Sequence, residues 1–450
     1  MLRADPVPAA VRAARSSPTA LPISEPITPR EDSLDAILRG GTLRAVYQPI
    51  VHLDSGRTVG YEALARGPRG SAFETPDSLF GAARREGRLT DLDWACRTAA
   101  LRGVLTHDWP SNQTLFVNVE PATLHVPIPE GARLLLVEAD SRTRIVIELT
   151  ERTLVRNPPG LLQAVGRMRD RGWGIALDDV GAEPASAAML SILRPDVIKL
   201  DLRLIQARHD RHSAAQLTSI LAEAERTGAV LLAEGIETDK HERTARGYGA
   251  EYGQGWLLGR PADWPGRIPD DGPVLPFLPS RIPAARDPLA DILARGRTHI
   301  AAKGDLVAFS RYLERLAIAS PDPTVVFAAL QHVRHFTPAT RRHYADLGAR
   351  GPLVGLFGVG LEAEPCPGVR GVNIRPDDRL ASQWHVVVLG AQFAGALIAE
   401  DLGDHGEDAE RRFRYRMTFD REAVIEAARS LALRLPALVG QGPSGRAARA

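Results

Sequence analysis

The 450-residue chain has 44% hydrophobic and 25% charged residues, the make-up of an ordinary globular protein with room for two or three domains. A formal net charge of +1 argues against a general nucleic-acid binder, which needs an extended basic face, so no nucleic-acid polymer is expected as a partner. Only Cys96 and Cys366 are present, which excludes a disulfide framework and a cysteine-rich zinc site and suits a reducing cytoplasm.

Residues 1–32 are rich in Ala, Pro, Arg and Ser and read as a disordered leader, with neither a signal peptide nor a membrane anchor. Later apolar stretches such as Val386 to Ala399 are too short to span a bilayer. Ser33 fits the N-cap of a short helix that stops at Gly40-Gly41. Leu43–His52 and Thr58–Ala65 flank Asp54-Ser55-Gly56, the pattern of a β-hairpin, so at least one strand is antiparallel. Pro76 to Val104 has a helical pattern. From there strands at 115–119, 144–149, 174–179, 197–201 and 229–234 alternate with helices near 160–171, 185–193 and 213–227. A last unit runs through Glu242–Gly247 to Tyr252-Gly253-Gln254-Gly255-Trp256. Repeated βα units imply a parallel sheet, and their number favours an α/β fold closed into a (β/α) barrel.

The apolar run Gly174-Ile175-Ala176-Leu177 ends in Asp178-Asp179. Two adjacent carboxylates could cap a following helix, or they could hold a cation that relieves their repulsion. The other strand ends favour the cation. Glu62, Asn118, Glu148, Lys199, Glu234 and Gln254 all fall at or near C-terminal strand ends, where such barrels carry their sites. The set holds five carboxylates but no His or Cys at these positions, so Mg²⁺, Mn²⁺ or Ca²⁺ is favoured over zinc. Two metals about 3.5–4 Å apart, bridged by one carboxylate, would use the whole set and suit hydrolysis of a phosphate ester. Arg66 offers a planar fork for a phosphate, and Lys199 could orient the attacking water or, with a pKa depressed beside the metals, take its proton.

Tyr47-Gln48-Pro49-Ile50, Glu62-Ala63-Leu64 with Arg66, Phe116-Val117-Asn118, Glu148-Leu149-Thr150-Glu151, Asp178-Asp179-Val180-Gly181, Lys199-Leu200-Asp201, Glu234-Gly235-Ile236-Glu237 and Gly253-Gln254-Gly255 resemble, in order, the motifs of the EAL phosphodiesterases. The resemblance covers Leu43 to Pro261. It implies a TIM-type (β/α)8 barrel with an antiparallel first strand, and hydrolysis of cyclic di-GMP to linear pGpG with two Mg²⁺ or Mn²⁺ ions. Carried over, Glu62, Asn118, Glu148 and Asp178 would bind one metal, and Asp178, Asp179 and Glu234 the other. Lys199 would hold the nucleophilic water with Gln254 nearby, and Glu151 would brace the loop after the aspartates. Gln48 and Arg66 would lie along the dinucleotide, and the family loop implies a homodimer through the barrel. This chain departs from the family at Val180-Gly181-Ala182-Glu183-Pro184-Ala185-Ser186-Ala187, where Phe-Gly and a Gly-Tyr-Ser-Ser type segment are usual, and at Val119-Glu120-Pro121 after Asn118. A barrel that binds the dinucleotide without cleaving it, and an interaction scaffold, are the rival readings.

The barrel is expected over 33–262, a Pro-rich linker over 263–288, an α+β domain over 289–438 and a disordered tail over 439–450. In the third segment the pattern predicts a helical pair over Leu289–Leu316, mixed or helical structure over Thr324–His335, strands at Leu353–Val359, His385–Val388 and Ala394–Glu400, alternation over Arg412–Phe419 and a helix from Arg421 to Leu435. Trp384-His385-Val386-Val387-Val388, Ala399-Glu400-Asp401 and Phe419-Asp420-Arg421 resemble the DICT sensory domains, which implies a regulatory role and an unknown ligand or protein partner. His332, His335 and His343 read as structural or exposed, with no ligand pattern.

Overall fold

The computed structural model describes residues 33–437 apart from 121–122, 125, 151–154, 182–185, 207–210, 265, 271, 278–287 and 321. Strands β1 (Arg44–His52), β2 (Arg57–Arg66), β3 (Thr114–Asn118), β4 (Arg144–Thr150), β5 (Gly174–Val180), β6 (Val197–Leu200), β7 (Val230–Ala233) and β8 (Tyr252–Gly253) close into a barrel in sequence order. Strand β1 is antiparallel to both β2 and β8, and all other neighbours are parallel. The hairpin at Asp54-Ser55-Gly56 is the cause, since a tight turn can join only antiparallel strands.

The barrel interior is apolar below its mouth. Ile50, Val59, Phe116, Val146, Ala176, Val197, Leu232 and Tyr252 fill it, and Leu275 with Phe277 packs against them. Part of the stretch expected as a linker is thus seated on the barrel. Leu275 accepts at its carbonyl from Arg144 at 2.7 Å, and Ile268 is buried. The helices outside cover the second face of the strands, which explains why the strands are apolar throughout instead of alternating.

The C-terminal domain is built on a seven-stranded sheet in the order β12-β11-β10-β13-β14-β15-β9, with β9 (His299–Ala302), β10 (Val325–His332), β11 (Leu353–Val359), β12 (Val369–Asn373), β13 (Gln383–Leu389), β14 (Ala394–Asp401) and β15 (Arg412–Thr418). The run 325–332, open between mixed and helical from its sequence, is an interior strand, parallel to β11 and antiparallel to β13. Val325 to Ala329 are all buried, so no period-two pattern marks them. The predicted pair over 289–316 is two helices, Pro288–Ala294 and Lys303–Ala319, with edge strand β9 between them. Pro76–Val104 is likewise two helices, parted at Gly87, whose φ of 66° suits the left-handed turn.

The two units share one continuous apolar core. Helix Ser186–Leu193 buries Leu190 and Ile192, and helix Arg421–Ala432 buries Val424, Ile425 and Ala428 in the same cluster. Polar contacts tie the same two helices. Arg421 Nη2 donates to Ser191 Oγ at 3.0 Å, Arg429 Nε donates to the Ile192 carbonyl at 2.5 Å, and Glu422 pairs with Arg194 at 3.0 Å. Among the described residues no helix is long and apolar enough to cross a membrane.

Candidate active site

Period two along the strands builds the site. Phe116, Val146, Ala176, Val197, Leu232 and Tyr252 point into the barrel, so the residues two further on point into its mouth. Those are Asn118, Glu148, Asp178, Lys199, Glu234 and Gln254, each at the C-terminal end of its strand. Glu62 joins them from β2, where it lies beside Phe116 in register.

Lys199 is the hub, with 1% of its side chain exposed. Its Nζ lies 2.7 Å from Glu148 Oε1, 2.7 Å from Glu234 Oε1, 3.0 Å from Asp178 Oδ1 and 3.6 Å from Glu62 Oε2. Glu62 is held from two sides: Asn118 Nδ2 donates to Oε1 and Gln254 Nε2 to Oε2, both at 2.8 Å. Gln254 also donates to Gln48 Oε1 at 3.3 Å, and Gln48 donates to the Gly259 carbonyl at 3.1 Å. Arg66 sits at the exit of β2 and donates to the Ala65 carbonyl at 2.8 Å. Burial and the neighbouring Arg44 lower its pKa, while the Glu62 and Glu74 charges act the other way. Glu151 and the loop 182–185 lie outside the described residues.

The two aspartates reach one place through a backbone irregularity. Neighbouring residues of a regular strand point to opposite faces. Here Leu177 pairs with Ile198 and Val180 with Leu200, so Asp178 and Asp179 together face Lys199 alone. Asp179 takes a left-handed φ of 56°, uncommon for any residue but glycine. This bulge lets carboxylate oxygens of Asp178, Asp179 and Glu234 lie within 4.8 Å of one another.

The electrostatics are those of an acid-rich site short of cations. Burial and then the charge of Glu62 push Glu148 well above the usual carboxylate range. Glu234 is pushed up to about 8 by burial, against the pull of Lys199. Burial and the adjacent Asp178 also raise Asp179. Glu62 is held low: burial would raise it, but Lys199, Gln254 and Asn118 outweigh that. In the metal-free site Lys199 shifts the opposite way from the depression expected beside bound metals. Burial does pull its pKa down, yet Asp178, Glu148, Glu234 and Glu62 together hold it well above that of an ordinary lysine.

Hard divalent cations fit this set. Five carboxylates face one ammonium, and Glu148 Oε2 lies buried with no hydrogen-bond partner. One acid of the motif Lys199-Leu200-Asp201 has no role assigned from the sequence. Asp201, buried two residues past Lys199 at the end of β6, adds its charge to the rise at Asp179 and accepts from Arg203 Nε at 2.9 Å. Its place at a strand end was the available signal.

This arrangement gathers acids, amides and one lysine at the C-terminal mouth of the barrel. Residues 30–261 match the model of the EAL domain, and residues 289–402 match that of the sensory domain in diguanylate cyclases and two-component system, DICT. The chain belongs to the EAL domain family and carries a DICT domain. It is 33% identical over 222 residues to the probable cyclic di-GMP phosphodiesterase PdeB of Escherichia coli (strain K12), covering 48% of this chain and 42% of that protein. It is 32% identical over 239 residues to the cyclic di-GMP phosphodiesterase RocR of Pseudomonas aeruginosa, covering 51% of this chain and 60% of that one. The chain thus spans less than two thirds of either relative. A solved structure described as "PaMucR Phosphodiesterase, c-di-GMP complex" is 26% identical, with a TM-score of 0.44 over 51% of this chain and 96% of that one.

Proposed function

We propose that the barrel hydrolyses cyclic di-GMP to linear pGpG with two divalent cations, Mg²⁺ or Mn²⁺, at its C-terminal mouth. The observation that carries this is the surplus of carboxylates around the buried Lys199, including one buried oxygen with no partner. Family membership and the names of PdeB and RocR support the substrate. Glu62, Asn118, Glu148 and Asp178 would hold one cation, and Asp178, Asp179 and Glu234 the other, with Asp178 shared. Bound there, the pair would supply an activated water and offset charge on the phosphodiester oxygens.

The chain's own residues do the rest. Asn118 and Gln254 fix the Glu62 carboxylate by donating to its two oxygens. Lys199, set among the carboxylates that would hold the cations, orients the attacking water. Gln48 and Arg66 contact the dinucleotide, Arg66 through its planar fork on a phosphate. Glu151 braces the loop after the aspartates, as the family resemblance implies. The protein works in the cytoplasm, where its two unpaired cysteines stay reduced, and pairs through the barrel as a homodimer.

The C-terminal domain regulates the rate. What supports this is the seat of helix Arg421–Ala432 on helix Ser186–Leu193, which starts shortly after Asp179. A shift of the first helix acts on the second, and so on the segment leading from the aspartates.

The departure at Val180 to Ala187 favours one second reading, a barrel that binds cyclic di-GMP without cleaving it and signals through its C-terminal domain. Incubating the full chain with cyclic di-GMP and Mn²⁺ or Mg²⁺ separates the two. The hydrolase reading expects pGpG, and tight binding with no pGpG would establish the second reading instead.

A further inference from the structure

The C-terminal domain has a cleft of its own. A cleft of about 430 Å³ opens at the C-terminal ends of the parallel strands β10 and β11, bounded by Gln331, Arg334, Val359, Pro376, Ser382 and Arg411 among its lining. Strand β10 stands where the chain's connections part, with parallel β11 on one side and antiparallel β13 on the other. In α/β sheets, crevices at such points take ligands, and the volume is that of a small-molecule pocket.

The backbone here repeats the device found at the aspartates. Ala329 pairs with Phe357 and His332 with Val359, so Leu330 and Gln331 together face Gly358. Gln331 has a φ of 63°, and only Asp179 shares a positive φ within a strand among the non-glycine described residues. Bulges in parallel pairs are rare, and strained residues of this kind gather at functional sites. Gln331 is 6% exposed, and its Nε2 donates to Asp401 Oδ2 at 3.2 Å at the cleft wall.

The charge is positive and partly uncommitted. Arg411 pairs with Asp401 and, at 3.0 Å, with Asp408; Lys303 pairs with Asp408 at 2.5 Å. Arg334 is exposed and has no ion pair among the described residues, so three cations meet two carboxylates. Val359, Pro376 and Ala381 add apolar lining to the same cleft.

We propose that this cleft binds a small organic anion, its acidic group on Arg334 and Arg411 and its apolar body against Val359 and Pro376. The wall next to Ser382 is tied to the barrel-seated helix, because Asp378 at the head of the turn Arg379–Ser382 pairs with Arg434 just past Ala432. The anion is therefore the input of the domain. The binding claim stands apart from the barrel's activity and is tested without turnover.

The probe is phenyl phosphate, titrated by calorimetry into the full chain in EDTA, with phenol as the uncharged control. Saturable binding is expected at one site, with no detectable binding of phenol. Arg334→Gln, which breaks no ion pair among the described residues, should weaken it about tenfold or more, the loss of one charge-assisted hydrogen bond. Arg66→Gln, at the barrel mouth, should leave it unchanged. Absence of saturable binding, equal binding by the Arg334 variant, or loss in the Arg66 variant would each overturn the assignment.

Discussion

We predict that Lys199→Met destabilises the metal-free barrel more than any other single change at its mouth. The ammonium is 1% exposed and lies within 3.0 Å of three carboxylates and 3.6 Å from a fourth, Glu62. Methionine keeps much of the volume but leaves that set without its cation. Breaking a buried ion pair from one side costs about 3–5 kcal/mol. In a unit of barrel size each kcal/mol shifts the melting temperature by roughly 2–4 °C, so a fall of roughly 6–20 °C is expected in EDTA. Mn²⁺ should then raise the variant's melting temperature by more than it raises the wild type's, because cation binding relieves the charge that the lysine no longer offsets. A cation at a hundred times its dissociation constant adds about 2.7 kcal/mol. Differential scanning fluorimetry with EDTA and with Mn²⁺ reads both effects. A variant that melts with the wild type in EDTA would refute the view that Lys199 offsets the cluster's charge.

Three further outcomes follow from particular contacts. Gly255 has a φ of 156°, and a Cβ there would lie 2.2 Å from the Ile236 carbonyl oxygen, so Gly255→Ala should shift Gln254 off Glu62 and lower both melting temperature and turnover. Unchanged turnover would remove Gln254 from the site. Burial pushes His385 down to about 3, so the fold keeps it neutral while the unfolded chain takes up a proton near 6.5. Its contribution is fully present above pH 6.5 and is lost as pH falls towards 3, by up to about 5 kcal/mol. His385→Gln should therefore show a smaller drop in melting temperature from pH 7 to pH 4, and an equal drop would contradict this. Arg421→Ala removes the bonds to Ser191 Oγ and to the Gly390 carbonyl, and should change the turnover of the full chain several-fold while leaving its Mn²⁺ affinity intact. Turnover identical to wild type would tell against regulation through this contact.

The barrel was legible because βα repetition and the hairpin at Asp54-Ser55-Gly56 are local signals. The mouth was legible for a related reason: polar residues that end apolar runs stand out, as Glu148, Lys199 and Glu234 do. What pairing alone decides was not legible. Nothing local marks the bulges at Asp179 and Gln331, since each depends on a register slip against a neighbouring strand. The ring of acids around Lys199 was not legible because its four partners come from β2, β4, β5 and the end of β7, far apart in sequence. Interior strand β10 was left open because burial on both faces removes the alternation that marks a strand. The cleft beside it escaped notice because Gln331, Arg334, Ser382 and Arg411 form no motif until the sheet assembles them.

The central claim is that Asp178 is the shared ligand of a two-cation hydrolase. Chromatography of cyclic di-GMP incubated with the full chain and Mn²⁺ tests it directly, with Asp178→Asn alongside, a change that keeps the side chain's shape and removes its charge. The account predicts pGpG from the wild type and a loss of at least about a thousandfold in the variant, equivalent to some 4 kcal/mol of transition-state stabilisation, with an unchanged melting temperature in EDTA to within a few degrees. A variant that keeps most of the wild-type rate would contradict it.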